Sequence, residues 1–144
     1  MQALIRVILA AAAFGAVVAH AQMQIEVNAT APDQVGQRLV YAVKEGIRTS
    51  SSLALTFDQN KPRMQVNVVT LDQSASAPGF STVYSVVILW NNPGNQIFPY
   101  YLMQYAGFCG SSRVKECADS LVANISEQSD SMLKLFNSAS KVKR

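Results

Sequence analysis

The two cysteines of this chain constrain its fold more than any other feature. Cys109 ends an aromatic, strand-like run, and Cys117 lies eight positions later in a long amphipathic helix, beyond a Gly-Ser-Ser turn. A cysteine pair at such a junction predicts a structural disulfide that fixes the last helix to the end of the last strand. Two free buried thiols are one alternative. A thiol–disulfide redox pair is another, because a helix N-terminus lowers a thiol pKa.

Residues 1–21 are predicted to be a secretory signal. Arg6 is the one positive charge before an almost unbroken apolar run, and Ala19-His20-Ala21 supplies the small-x-small pattern that precedes cleavage. We expect cleavage between Ala21 and Gln22. An apolar run of about a dozen residues is short for a membrane anchor, which needs roughly 20. The mature chain is therefore expected to lack a membrane span and to be periplasmic or secreted.

The mature chain contains no histidine, because His20 is the only one and lies in the signal. This excludes Ser-His-Asp and Cys-His nucleophile activation and every histidine-liganded metal site. The carboxylates show no spacing that marks a general acid and base, and no phosphate-binding loop is present. We expect no catalytic residue, no metal and no cofactor.

The net charge of +3 does not predict a nucleic-acid partner. Of the 12 basic residues, Arg6 lies in the signal and three more lie at the C-terminus, which leaves eight against nine acidic residues. A nucleic-acid-binding domain would show a basic patch or stripe on its body, and no such cluster is evident.

The hydrophobic pattern predicts a single α+β domain over residues 22–137, followed by a disordered basic tail over 138–144. Alternating or continuous apolar runs indicate strands at 23–27, 53–57, 63–71, 81–90 and 98–108. Apolar stripes at helical spacing indicate helices from about Thr30 to Arg48 and from Ser112 to Phe136. The predicted fold is a mixed, mainly antiparallel five-stranded sheet in the order β-α-β-β-β-β-α. Both helices cover one face, and the second to fifth strands form an antiparallel meander.

Two glycines interrupt the first helix and have different predicted roles. Each is expected to weaken the helix by about 1 kcal/mol relative to alanine. Close packing on the sheet is expected for Gly36, and helix termination is expected near Gly46.

Aromatic residues of the last two strands are the candidate binding surface. Trp90, Tyr100, Tyr101 and Tyr105, together with Phe98, could line a groove, since tyrosine and tryptophan bury a large area and keep a polar group. The alternative is that one face of these strands belongs to the core and the other is ordinary sheet surface.

Several segments carry a family resemblance. Residues 33–41 (DQVGQRLVY), 50–53 (SSSL) and 108–113 (FCGSSR) resemble small uncharacterised secreted proteins of Gram-negative bacteria. The element order, with its glycine-containing helix, Ser-rich link and long final helix, is similar to the N-terminal domain of TolB and to CsgG-type outer-membrane assembly factors. This resemblance implies contacts with other proteins of the cell envelope.

The sequence therefore predicts a non-enzymatic exported protein whose partner is an envelope protein or a cell-wall component. A small histidine-independent hydrolase and a redox protein that uses Cys109 and Cys117 are the alternatives.

Overall fold

A computed structural model describes residues 22–73, 78–95 and 97–142 of the chain. The predicted signal and its cleavage point at Ala21 lie outside these residues. Seven elements follow one another as β1 (Met23–Thr30), α1 (Gln34–Thr49), β2 (Leu53–Leu55), β3 (Arg63–Asp72), β4 (Ser81–Asn91), β5 (Tyr100–Gly110) and α2 (Val114–Val142).

The five strands form one mixed sheet in the order β2-β1-β3-β4-β5. Strand β1 is parallel to both β2 and β3, whereas β3, β4 and β5 are antiparallel neighbours. The predicted α+β class is confirmed. The meander prediction was wrong for β2, because β1 lies between β2 and β3. The predicted turn at 58–62 therefore connects two parallel strands that β1 separates.

One face of the sheet, here called the helix face, packs against α1 and α2. Alternate residues of the inner strands supply it, and α1 contributes the stripe that begins with Val35 and Leu39 and ends with Ile47. Long β-branched runs on β3 and β4 suit this position because their branched side chains pack well on a pleated surface. The largest fully buried side chains include Ile25, Leu39, Ile47, Leu53, Met64, Ile88 and Ile125.

Both helices start at the same end of the sheet. Asp33 caps α1 beside Thr70 and Thr82, and the disulfide fixes the start of α2 beside the end of β5. We call this the Asp33 end. The opposite end, where β4 finishes one residue after Trp90, is called the Trp90 end. The cap of α1 is Asp33 rather than Thr30, which ends β1.

Helix α2 is longer than predicted. It continues beyond Phe136 to Val142, so residues 138–142 of the predicted tail are helical. The extension is made of Asn, Ser, Ala, Lys and Val, and none of these residues stops a helix as glycine or proline would. At 1.5 Å per residue the 29 residues of α2 span about 44 Å, compared with about 37 Å for an 11-residue strand.

The two glycines of α1 both lie at close contacts. A Cβ atom on Gly36 would overlap the Thr70 side chain of β3, so the predicted packing of this residue on the sheet is confirmed. Gly46 does not end the helix, which continues to Thr49. Its missing side chain instead leaves room for Val122 of α2.

Candidate functional site

The hairpin formed by β4 and β5 is the part of the surface that differs most from the rest. Residues 73–112 contain no Asp, Glu, Lys, Arg or His, although the whole chain has 21 residues of the first four types. This run includes both strands and the turn between them. Soluble proteins often place charged side chains on edge strands, so an uncharged hairpin with exposed apolar residues indicates a contact surface.

An exposed apolar row crosses the face of the sheet away from the helices, here called the open face. Leu71, Val83 and Phe108 are paired directly across three neighbouring strands and are 61%, 45% and 57% exposed. Val69, 46% exposed, lies two residues before Leu71 on the same face. The apolar row lies near the Asp33 end, and side chains this exposed would lose contact with water if a partner covered them.

A second group of exposed aromatic residues lies at the Trp90 end. Phe98, Tyr100 and Tyr101, here called the aromatic tip, are 77%, 62% and 61% exposed, and Ile97 beside them is 91% exposed. The aromatic tip follows the turn that contains Pro93. The hairpin thus carries exposed apolar groups at both ends of the sheet.

A β-bulge decides where the predicted groove residues point. Ile88 pairs with Met103 but Leu89 pairs with Tyr101, so Leu102 is an extra residue in β5. Such a bulge re-aims the side chains that precede it. As a result Tyr105 and Tyr100 share the helix face although they are five positions apart, an offset that in a regular strand would place them on opposite faces, whereas Tyr101 is on the open face.

The structure does not bring the four predicted groove residues onto one surface. Trp90 is 8% exposed and its ring lies 5.1 Å from that of Phe136 in α2. Tyr105 is partly buried and donates a hydrogen bond to the Met103 sulfur at 2.7 Å. Only Tyr100 and Tyr101 are well exposed. Phe98, which was expected beside them in the groove, is as accessible as these two. The apolar row was not predicted from the sequence.

The predicted disulfide between Cys109 and Cys117 is present. Their Cα atoms lie 6.2 Å apart, and Cys109 is fully buried. Backbone hydrogen bonds from Ser111 to Phe80 and from Arg113 to Gly110 hold the intervening turn. The Cys109 side of the bond is inaccessible to an attacking thiolate and Cys117 is partly buried, which favours a structural role over redox exchange.

Asp33 forms a buried polar cluster with two threonines. Its carboxylate accepts hydrogen bonds from the Gly36 N–H at 2.6 Å, from Thr70 Oγ1 at 2.5 Å and from Thr82 Oγ1 at 3.2 Å. Burial alone would raise the pKa of Asp33, but these hydrogen bonds outweigh it and lower the pKa below 3.8. The carboxylate is therefore ionised at neutral pH and joins α1 to β3 and β4.

A buried ion pair lies on the open face at the Trp90 end. Arg63 Nε donates to Glu26 Oε2 at 2.5 Å, and Arg63 also donates to the carbonyls of Gln59 and Lys61 at 2.7 and 3.2 Å. Segment 56–62 connects β2 with β3 and therefore has to pass over β1, which lies between them. The two carbonyls that bind Arg63 belong to this segment. The sequence does not predict this pair, because no local pattern places residues 26 and 63 together.

Two shallow clefts lie near the Asp33 end. The larger, about 570 Å³, lies between the first turns of the helices and is lined by Arg38, Tyr41 and Lys115 among others. The smaller, about 480 Å³, includes Asp33 and Asp72. The hydrogen bonds already made by Asp33 and its lowered pKa make it a poor proton donor or acceptor at neutral pH.

Burial raises the pKa of Tyr105 above 10.0, and the negative charge of Glu127 raises it further, so the phenol stays protonated. Within the described ranges no three His, Cys, Asp or Glu side chains converge in a way that could hold a metal ion. Among the described residues, no helix combines the length with the apolar character that a bilayer span requires.

Comparisons with known proteins give a match only among solved structures. No family model matches the chain, and no curated protein matches it in sequence. Sixteen chains of known structure match. One of them is a minor lipoprotein from Acinetobacter baumannii, with 11% sequence identity and a TM-score of 0.40, over 75% of this chain and 93% of that chain.

Proposed function

We propose that this chain is a non-enzymatic exported protein of the cell envelope that binds another protein through its uncharged hairpin. The observation that carries this proposal is the exposure of the aromatic tip and of the apolar row, since the tip and two of the three row residues lie on a hairpin without a single charge. Both features are of the kind that protein interfaces use, since interface centres are depleted of charged residues and enriched in aromatic ones.

Export is supported by the predicted signal together with the disulfide. A disulfide persists in an oxidising compartment such as the bacterial periplasm, and the buried Cys109–Cys117 bond joins two elements of the core. The periplasm and the extracellular medium both meet this condition.

A protein partner is favoured over a cell-wall glycan by the shape of the surface. The apolar row is an aliphatic and aromatic strip across three strands, and the polar groups that would bind sugar hydroxyls are absent from its three residues, Leu71, Val83 and Phe108. Hydrolase and redox functions have no comparable support. The cleft that contains Asp33 holds an already satisfied carboxylate, and the sulfur of Cys109 is buried.

Site-specific photo-cross-linking in the cell envelope tests this proposal. A photoreactive phenylalanine analogue replaces Tyr101 in one variant and Phe108 in a second. The control variant carries it at Tyr41, which is 67% exposed on α1 and therefore as accessible as Tyr101.

We expect adducts with a second protein from positions 101 and 108 and none from position 41. Mass spectrometry of each adduct identifies the partner. Equal cross-linking from position 41, or adducts only with glycan, would contradict the proposal. Adducts only with a second copy of the chain would also contradict it, because the proposed partner is a different protein.

A further inference from the structure

The outer edge of β5 is the longest stretch of unpaired backbone that the sheet presents. Strand β5 has 11 residues and ends the sheet, and among the described residues it pairs with β4 alone. The opposite edge is β2, which has only three residues. Short edge strands are one way in which proteins prevent edge-to-edge pairing, so the two edges of this sheet differ sharply.

Strand β5 lacks the other features that protect an edge. None of its 11 residues is charged or proline, and Pro99 lies just before it. The bulge at Leu102 disturbs only its first part, since the pairing from Met103 to Gly110 is continuous. Eight consecutive residues therefore present a regular row of N–H and C=O groups to an incoming strand.

We infer that β5 pairs with β5 of a second copy of this chain, in antiparallel orientation, to form a dimer with a continuous ten-stranded sheet. In a two-fold interface the same patch of both copies meets itself, so an edge strand with charges of one sign would meet that sign again in the second copy. An uncharged strand avoids this repulsion. The edge of β5 is suited to pairing with itself, whereas a partner selected by charge complementarity would require charges that β5 does not have.

This inference goes beyond the proposed function because it concerns the strand edge, whereas the proposed partner binds the open face and the aromatic tip. Pairing near Tyr105 would place Gln104 and Ala106 of both copies close to the two-fold axis. Both residues are exposed and lie on the open face, opposite Val87 and Ser85 of β4. With Tyr105 opposite Tyr105, Ala106 of each copy pairs with Gln104 of the other, so a charge introduced at either position lies diagonally across from the same charge in the second copy.

Substitution of Ala106 by Lys tests the inference. Analytical ultracentrifugation of the purified protein over a range of concentrations gives the dimer dissociation constant. We expect the wild-type protein to form dimers and Ala106→Lys to raise this constant at least about tenfold, because like charges across an interface are strongly unfavourable. High salt should restore part of the dimer by screening the charges.

Two variants serve as controls. Ser85→Lys places the same charge on the same face one strand further from the edge, since Ser85 is paired with Ala106, and Ala106→Gln adds a long side chain without charge. Both should remain dimeric. A loss of dimer in Ser85→Lys would overturn the inference by showing that the open face holds the copies together.

Two further results would overturn it: a wild-type protein that stays monomeric at millimolar concentration, or a dimer that Ala106→Lys leaves unchanged. If Ala106→Lys fails to fold, hydrogen exchange of the wild-type protein tests for the β5–β5 dimer instead. Amides of β5 should exchange more slowly at high than at low protein concentration, whereas amides of β2 should not differ. Concentration-independent exchange in β5 contradicts the dimer.

Discussion

Trp90 links the end of β4 to the second half of α2. It is 8% exposed, its ring contacts Phe136, and it is paired with Met64 of β3 on the helix face. We expect Trp90→Ala to lower the free energy of unfolding by about 3–5 kcal/mol, because it removes a large buried ring and leaves a cavity. Urea denaturation measures this loss.

Tyr100 provides the matched control for Trp90. The two residues are paired across the strands, yet Tyr100 is 62% exposed. Tyr100→Ala should therefore change stability by no more than about 0.5 kcal/mol, as is usual for surface substitutions. Equal losses in the two variants would show that Trp90 is not the core residue of this pair.

Asp33 should make the stability of the protein depend on pH in acid. Its folded pKa lies below 3.8, so the unfolded state binds a proton first as the pH falls. The stabilisation is complete above the unfolded pKa of about 4 and is lost as the pH falls through the lower folded pKa. We expect the melting temperature of the wild-type protein to fall over that range and that of Asp33→Asn to fall less.

At neutral pH, Asp33→Asn should cost about 2 kcal/mol, because asparagine can still cap α1 but loses charge-assisted hydrogen bonds from Thr70 and Thr82. Asp119→Asn is the control. Its carboxylate is 62% exposed and pairs with Lys115 on the helix surface, a contact worth at most about 1 kcal/mol. An equally steep acid dependence in wild type and Asp33→Asn would assign the effect to other carboxylates.

At the scale of elements, the sequence predicted more of the structure than it did of the candidate site. Long apolar runs located β3, β4 and α2, and the Cys109–Cys117 spacing predicted the disulfide. The order of the strands could not be predicted, because the position of β1 between β2 and β3 depends on contacts between distant residues. The bulge at Leu102 had no local signal either, and it is this bulge that places Tyr100, rather than Tyr101, on the same face as Tyr105.

The disulfide should stabilise α2 without being required for the fold. It closes a loop of about nine residues, for which the chain-entropy model gives about 2.5 kcal/mol. The double variant Cys109→Ser, Cys117→Ser should therefore remain folded and melt at a lower temperature. The buried stripe of α2, including Leu121 and Ile125, keeps the helix in place.

Hydrogen exchange localises the effect of removing the disulfide. Protection should fall first in α2 and remain in β3, whose neighbours on both sides are strands. Loss of all tertiary structure in the double variant would show that the bond is essential to folding. An unchanged melting temperature would show that it contributes nothing.

At the scale of the whole molecule, charge is distributed unevenly. Within the described ranges the charged residues lie on or directly before α1 and α2, on β1 and β3, and in the segment between β2 and β3, whereas the hairpin has none. The 40-residue uncharged run was readable from the sequence. Its meaning was not, because only the sheet order shows that β5 is an edge and that the apolar row is uncovered.

The first residue of the folded domain should also be the first residue of the exported protein. Gln22 donates hydrogen bonds to the Ser50 and Ser51 carbonyls at 3.3 and 3.2 Å, and the Met23 N–H donates to Ser52 at 2.9 Å. Cleavage before Gln22 therefore leaves β1 intact between β2 and β3. N-terminal sequencing of the exported protein should begin at Gln22.

Truncated chains test whether cleavage could occur further along the sequence than Gln22. A chain that starts at Gln22 should fold, whereas one that starts at Asn28 should not. The shorter chain lacks Met23 and Ile25 of the core and most of β1, on which both parallel pairings depend. Circular dichroism of the two chains measures whether each one is folded. An exported protein that retains residues 7–18 would contradict the cleavage prediction and indicate a membrane anchor, and a folded chain from Asn28 would show that β1 is dispensable.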